Sequence, residues 1–325
     1  MRIILIFLQT ICFLLSLLLN YDLINSQQKG TSGTVKIVVL MSSDLDEYKL
    51  ALDGFKDALS NSNIKFEINQ ISDIGDNNFN PKITNEIRKL KPDLILGLGT
   101  KSANNLHTYI NDIPVVFSMV LNPNFINSNH QSGKNNKNIT GVSLSIPVIK
   151  QFSTLKEMIP NLKTIGVIYN PYENSELIKE AQTAAKQLNL DLVAVDVSYE
   201  REVPMTLNNL IKYVDVIWLI VDRMVNSVES RKNIILEGFR NDIPVMGLSE
   251  KVVRAGAAFA VSADYRNVGF QSGNLAVKIL NGDEPSQLPY EYPQKTIIYI
   301  NERIVDSIGL KISEKIRKNA VIISK

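Results

Sequence analysis

From Thr34 onward the chain alternates short β-branched runs with longer stretches of helical periodicity, and this alternation narrows the fold more than any other feature. VKIVVLM is followed by DEYKLALDGFKDALSN, IKFEINQIS by ITNEIRKLK, and DLILGLG by SANNLHTYI, after which comes PVVFSMV. Runs such as KIVVL and DLILGL are apolar without alternating, as strands covered on both faces must be. Such strands belong to parallel sheets whose crossovers are helices. In DEYKLALDGFKDAL, the residues Leu50, Ala51, Phe55, Ala58 and Leu59 recur at spacings of three and four, which predicts one buried helical face.

A polar segment without periodic apolar residues, NSNHQSGKNNKN from Asn127 to Asn138, reads as a surface loop. Beyond it the same grammar restarts with KTIGVIYN, SELIKEAQTAAKQLN, LDLVAVDV, TLNNLIKYV, VDVIWLIVD, SRKNIILEGFRN and IPVMGLS. With 325 residues, 45% of them hydrophobic, the chain can fill two cores of ordinary size. The expected fold is therefore α/β, with two doubly wound parallel-sheet lobes and right-handed crossovers. GAAFAVSADY, the helical NVGFQSGNLAVKILNG and KTIIYINERIV remain as a surplus. A chain crossing between lobes three times, the wiring of a bilobed hinge protein, accommodates them. This predicts residues 34–145 plus 255–290 in one lobe and 146–254 plus 291–325 in the other.

The N-terminus has one Arg and then an apolar run from Ile3 to Leu19, the pattern of a secretory signal, and short for a membrane-spanning helix. No small-x-small cleavage site follows, so residues 1–27 read as a signal peptide or as a retained N-terminal anchor. Either places the rest of the chain in the periplasm or otherwise outside the cytoplasm. The single cysteine, Cys12, lies inside the apolar run, which leaves the remainder without disulfide or thiolate chemistry. The net charge of +2 arises from 35 basic and 33 acidic residues spread along the chain. There is no basic stripe of the kind that nucleic acid requires.

In open α/β sheets ligands bind beyond the carboxyl ends of the strands. The residues in question are Ser42 and Ser43, Gly97 to Ser102, Val120 to Asn124 including Asn122, Asn170 to Ser175 including Asn174, Asp222 with Arg223, Ser249 with Glu250, and Asp264 with Tyr265. GLGTKSANN carries a GxG at Gly97 and Gly99, but Ser102 stands where a dinucleotide fingerprint has its third glycine, and there is no Gly-Lys-Ser/Thr. Two glycines, the hydroxyls of Thr100 and Ser102 and a helix start instead suit a small anion such as a carboxylate. Either hydroxyl taken alone equally fits a helix cap. Asp222, after VIWLIV, and Asp264, after another strand, each suit a ligand ammonium or a local cap. Arg223 suits a salt bridge, and Trp218, mid-strand, suits core packing. Only His107 and His130 are available for a histidine metal site or a Ser-His-Asp arrangement. Asp44 with Asp46, and Glu284 beside Pro285, lie in turns. The sequence thus offers no catalytic residues, no metal-ligand set and no cofactor motif, which favours a binding protein over an enzyme. The sequon Asn138-Ile139-Thr140 carries little weight.

Taken together in their order, DGFKDAL (Asp53 to Leu59), KPDLILGLGTKSA (Lys91 to Ala103), IPVVFSMVLNP (Ile113 to Pro123), NITGVS (Asn138 to Ser143), KTIGVIYNPYENS (Lys163 to Ser175), IPVMGLSE (Ile243 to Glu250) and ADYRNVGFQSGNLAVKILNGDEP (Ala263 to Pro285) resemble the ABC-transporter substrate-binding proteins of the tryptophan/tyrosine-type group, which have the type I periplasmic-binding-protein fold. The resemblance runs across nearly the whole chain after the N-terminal segment. It implies a monomeric bilobed receptor without a cofactor, which captures a small carboxylate-bearing ligand, an amino acid of the aromatic kind named in the group's label or another, in an interlobe cleft by hinge closure. The partners it implies are a membrane permease and its ATPase. By resemblance Thr100 and Ser102 hold the ligand carboxylate, while Asp222 and Asp264 match acidic positions suited to its amino group. The chain departs from the family at Asn122-Pro123, where members often have Asp-Pro, and at Lys101, where Pro or a small residue is common. A lysine facing the cleft would favour a more anionic solute. Two other readings stay open: a membrane-anchored ligand sensor for a signalling system, and a Rossmann-like enzyme.

Overall fold

The computed structural model describes residues 33–73, 81–123 and 138–324. The N-terminal segment 1–27 with Cys12, the polar loop 127–138 except Asn138, and His130 lie outside the described residues. The chain divides into two compact units, Met1–Leu144 with Tyr265–Tyr292 and Ser145–Asp264 with Pro293–Lys325, so it passes from one to the other three times.

The first unit contains β1 (Val35–Met41), α1 (Asp46–Asn61), β2 (Phe66–Ser72), α2 (Pro81–Leu90), β3 (Leu94–Leu98), α3 (Thr100–Tyr109), β4 (Val115–Val120) and β5 (Ile139–Ser143). Its five strands pair in parallel in the order β2-β1-β3-β4-β5. The second unit runs through α4 (Val148–Met158), β6 (Thr164–Tyr169), α5 (Pro171–Gln187), β7 (Asp191–Asp196), α6 (Val203–Leu210), β8 (Val216–Trp218), α7 (Val228–Arg240), β9 (Val245–Gly247), α8 (Glu250–Arg254) and β10 (Phe259–Ala263). The helix α9 (Tyr265–Leu280) then belongs to the first unit, while β11 (Thr296–Asn301), α10 (Glu302–Ser307), α11 (Glu314–Asn319) and β12 (Val321–Ile323) complete the second.

The seven strands of the second sheet follow the order β12-β11-β10-β9-β8-β6-β7. All its pairs are parallel except β10 with β11. Two expectations change accordingly. The second sheet is mixed rather than wholly parallel, because β11 returns antiparallel along β10. The second lobe boundary falls after Asp264 rather than before residue 255, since β10 is held on both sides by strands of the second sheet, and the third falls after Tyr292 rather than residue 290.

Helix α1 buries Ala51, Leu52, Gly54, Phe55, Ala58 and Leu59. Leu50, expected on this face, is 44% exposed. At 3.6 residues per turn it sits about 140° round the helix from Phe55, whereas Leu52 sits about 60° away and is buried. Helix α9 packs directly on α1. A Cβ at Gly269 would lie 1.8 Å from the Ala51 carbonyl oxygen, and one at Gly54 would lie 1.9 Å from that of Arg266. The two backbones therefore touch at points where one of the two residues is a glycine. Arg266 Nε and Nη2 close the contact at its edge, donating to Asp57 Oδ2 at 3.0 and 2.6 Å.

In an exposed helix, Gly→Ala gains about 1 kcal/mol from propensity. At Gly269 the added methyl meets a backbone oxygen that cannot rotate away, so Gly269→Ala should instead cost about 1–3 kcal/mol, the range for overpacking. Thermal unfolding of the variant checks this through a lowered Tm.

Candidate functional site

β3 ends at Leu98 and α3 begins at Thr100, so one residue makes the turn. Gly99 makes it with φ of +94°, a conformation side chains rarely adopt. A Cβ there would also lie 2.1 Å from Ser42 Oγ and 2.8 Å from the Tyr48 hydroxyl. The Gly99 N–H donates to the Ser118 carbonyl at 2.8 Å, and Ser42 donates twice to the Leu98 carbonyl, from N–H at 3.1 Å and from Oγ at 2.9 Å. Thr100 Oγ1 accepts the Leu121 N–H at 3.2 Å. Ser143 Oγ and the Leu144 N–H both donate to the Val120 carbonyl, at 3.2 and 2.8 Å. These bonds lace together the carboxyl ends of β1, β3, β4 and β5.

The pairing of β4 with β5 shifts register between Phe117 and Val120. Met119 there has φ of +60° and Asn122 has φ of +49°. Asn tolerates the left-handed region, whereas for Met it costs on the order of 1–3 kcal/mol. The bulge re-aims the end of β4, leaving Leu121 and Asn122 exposed. Helix α3 starts with no side-chain cap from Gly99, so its first-turn amides and the positive end of its dipole form a place for an anion. Thr100 uses its oxygen as an acceptor and keeps its own proton to donate. Ser102 is fully buried, and its Oγ has no hydrogen-bond partner among the described residues. Ser43 shapes the turn before α1, its Oγ accepting the Leu45 N–H at 3.4 Å.

Lys101 does not extend freely into solvent. Its Nζ donates to the Asp73 carbonyl at 2.8 Å and lies 3.4 Å from Asp73 Oδ1, while Asn105 Nδ2 donates to Oδ2 at 2.8 Å. The Asp73 side chain is 4% exposed and that of Lys101 30%. The Asp73 N–H in turn donates to the Met41 carbonyl at 2.7 Å, which ties the end of β2 to the end of β1. The lysine charge is thus spent inside the unit.

In the second unit Asp222 is 2% exposed and accepts four hydrogen bonds. Oδ2 takes the Asn170 N–H at 2.6 Å and Asn174 Nδ2 at 2.8 Å; Oδ1 takes the Met224 N–H at 2.8 Å and the Val225 N–H at 3.4 Å. Two donors per oxygen use the acceptor sites of a carboxylate, so Asp222 joins the loops after β6 and β8 rather than offering itself to a ligand ammonium. Asn174 shares that work, donating also to the Val221 carbonyl at 3.2 Å. Asn170 Oδ1 caps α5 by accepting the Tyr172 N–H at 2.9 Å. Ser249 is half-buried, and its side chain makes no cap bond to α8. Asp264 is half-buried at the point where the chain leaves this unit, its N–H donating to the Lys295 carbonyl at 3.1 Å.

Arg223 is paired, its N–H donating to Glu173 Oε2 at 3.2 Å and its Nε bonding Glu173 Oε1. The guanidinium holds the Glu173 carboxyl below the usual glutamate range, against the smaller opposing effect of desolvation. Trp218 is core: it is 3% exposed, stands edge-on to Phe152 at 5.0 Å, and donates from Nε1 to Gln151 Oε1 at 3.0 Å. The sequon asparagine Asn138 is also structural, its Nδ2 donating to the carbonyls of Ile110 and Ile113 at 3.1 and 2.7 Å.

Sequence reasoning missed Tyr48 and Asp73. Asp73 stands immediately after β2 and falls under the same strand-end rule as the others. Tyr48 had no such signal, because its contact exists only through the missing side chain of Gly99. Among the exposed apolar side chains, Leu121 at 39% and Val221 at 55% follow strands, while Tyr172 at 91% lies on the first turn of α5 and Tyr199 at 55% follows β7.

Comparison with known proteins adds an independent line. The family model described as "ABC transporter substrate binding protein" matches residues 34–323. A tyrosine-binding protein of Clostridioides difficile is 28% identical over 223 residues, 68% of this chain and 64% of the relative, so the match spans slightly under two thirds of that relative's length. An uncharacterised protein of Rickettsia prowazekii is 26% identical over 82% of both chains. Among solved structures, the ligand-free, open form of a substrate binding protein with adhesive properties from Clostridium difficile superposes with a TM-score of 0.75 at 25% identity, over 89% of this chain and 99% of that one. An ABC domain from Streptococcus pneumoniae in complex with L-Trp superposes with a TM-score of 0.62 at 24% identity, over 90% of this chain and 100% of that one, a likeness of fold. The matched family is one of substrate binding proteins rather than of enzymes.

Two outcomes follow from the second unit. Asp222→Ala leaves several buried donors without an acceptor and should cost about 3 kcal/mol or more, read from urea unfolding. Glu173 has a lowered value in the folded protein, so its pairing contributes stability fully above the ordinary glutamate value and loses it as pH falls through the lowered one. Carbon NMR titration should place the Glu173 midpoint below that of an ordinary glutamate, and Arg223→Ala should return it upward.

Proposed function

This chain belongs to the family of ABC transporter substrate binding proteins, and from that premise we propose that it captures an amino acid with a large apolar side chain outside the cytoplasm and delivers it to a membrane permease driven by an ATPase. The observation that carries the proposal is the turn at Gly99 and Thr100. It offers a hydroxyl proton and the first amides of α3 at the edge of a parallel sheet, where a single carboxylate is favoured. Ser42 and Asn122 flank that place in the first unit.

From the second unit we assign Ser249 and Asp264 to the ligand, Asp264 accepting from its ammonium as a charge-assisted hydrogen bond. Asn174 and Asp222 take a different part: they fix the loops after β6 and β8 on which ligand-facing groups ride. Exposed Leu121 and Val221 beyond strands, and Tyr172 on the first turn of α5, favour an apolar ligand side chain over a sugar, and the tyrosine-binding relative supports the same class. Ser43 belongs to the supporting turn, and Ser102 to the interior beneath the helix start.

Capture proceeds by closure of the two units, with the three chain passages as the hinge. A ligand drives closure only by as much as it binds the closed form better, so it must touch residues of both units. The protein works as a monomer and needs no cofactor.

Thr100→Ala removes a hydrogen bond to a charged group, and it should weaken binding of L-tyrosine by about 1.5–3 kcal/mol, roughly ten- to a hundredfold or more in Kd. Isothermal titration of both proteins decides the matter. An affinity that the substitution leaves unchanged would remove the turn from the binding site.

A further inference from the structure

Lys101 is a cation on the first turn of α3, one residue beyond the Thr100 hydroxyl. Left free, it would make this edge of the sheet suited to a doubly charged anion. It is instead held by Asp73, whose carboxylate is 4% exposed and takes a second bond from Asn105. Three separate features fix the arrangement. The ammonium bonds the Asp73 carbonyl as well as facing its carboxylate, Asn105 comes from the same helix as Lys101, and the Asp73 N–H is anchored on Met41. A buried carboxylate with a matched cation is retained at a cost in desolvation, so it calls for a job. Arg223, the cation at a strand end of the second unit, is likewise neutralised within its own unit by Glu173.

We propose that the Lys101–Asp73 pair is a specificity device. Asp73 neutralises Lys101 and sets the helix start to accept one carboxylate, so that the protein takes net-neutral amino acids and rejects acidic ones. In this role Lys101 and Asp73 are positioning residues that act on the ligand through charge, without touching it. The inference rests on the amino-acid reading above.

The test is isothermal titration of the full protein with L-tyrosine and with L-glutamate at low and at physiological salt. The wild type should bind tyrosine and prefer it strongly to glutamate. Asp73→Asn keeps the shape and removes one negative charge from beside Lys101, and it should move the glutamate-to-tyrosine affinity ratio toward glutamate by about tenfold or more, less so at higher salt. Adding Lys101→Met to Asp73→Asn should restore the wild-type ratio. A purely structural role would lower both affinities together and leave the ratio unchanged, which overturns the proposal. A wild type that binds glutamate as tightly as tyrosine overturns it too, without any variant having to fold, and leaves the amino-acid reading standing. A wild type that binds neither overturns both.

Discussion

Gly99 carries the chain from β3 into α3 in a left-handed conformation, and the space a side chain would need is already filled by Ser42 and Tyr48. Because the turn takes a single residue, the first amides of the helix arrive directly at the end of the strand. The neighbouring strands then come to it: β1 through Ser42 on Leu98, β4 through Ser118 on Gly99, and the bulge of β4 through Leu121 on Thr100. The unfavourable backbone at Met119 is held by this same lacing, since the strand must be re-aimed for Leu121 to reach Thr100. Strain kept at such a position is consistent with a ligand-facing edge.

The two units treat their polar strand ends in opposite ways. The first keeps a hydroxyl proton on Thr100 at the start of α3, where Gly99 supplies no side-chain cap. The second closes its most conspicuous anion on itself, since Asp222 is saturated by four donors and serves the backbone around it. Cations are neutralised in both, by Asp73 and by Glu173. In the first unit a place for one carboxylate stands beside the exposed Leu121.

Much of the fold could be read from periodicity. The helix DEYKLALDGFKDALSN has the bounds its pattern gives, and the strands VKIVVLM, DLILGL and FAVSA lie where apolar runs place them. Three elements were harder for physical reasons. β5 is the short run ITGVS, whose Thr140 and Gly141 break the apolar signal although every residue is buried. α4, VIKQFSTLKEM, follows a proline and has no side-chain cap, so no start signal marked it. β10 reads as an ordinary parallel strand, and only its antiparallel partner β11 shows which sheet owns it.

The candidate site was legible at the level of position and less so at the level of role. The strand-end rule pointed to Thr100, Asp222 and Asp264, which do follow β3, β8 and β10, yet it gives no account of whether a carboxylate points to solvent or is consumed by its own loop. Asp222 and Lys101 both turned inward, each toward a partner distant in sequence, Asn170 in one case and Asp73 in the other. Such pairings depend on which strand ends lie side by side, and local pattern does not encode that. The central claim is the carboxylate at the Gly99 turn, and a crystal structure of the protein with L-tyrosine bound tests it most directly. The account expects the ligand carboxylate within hydrogen-bond distance of Thr100 Oγ1 and the first amides of α3. A carboxylate seated instead on Arg223, or anywhere away from this turn, would contradict it.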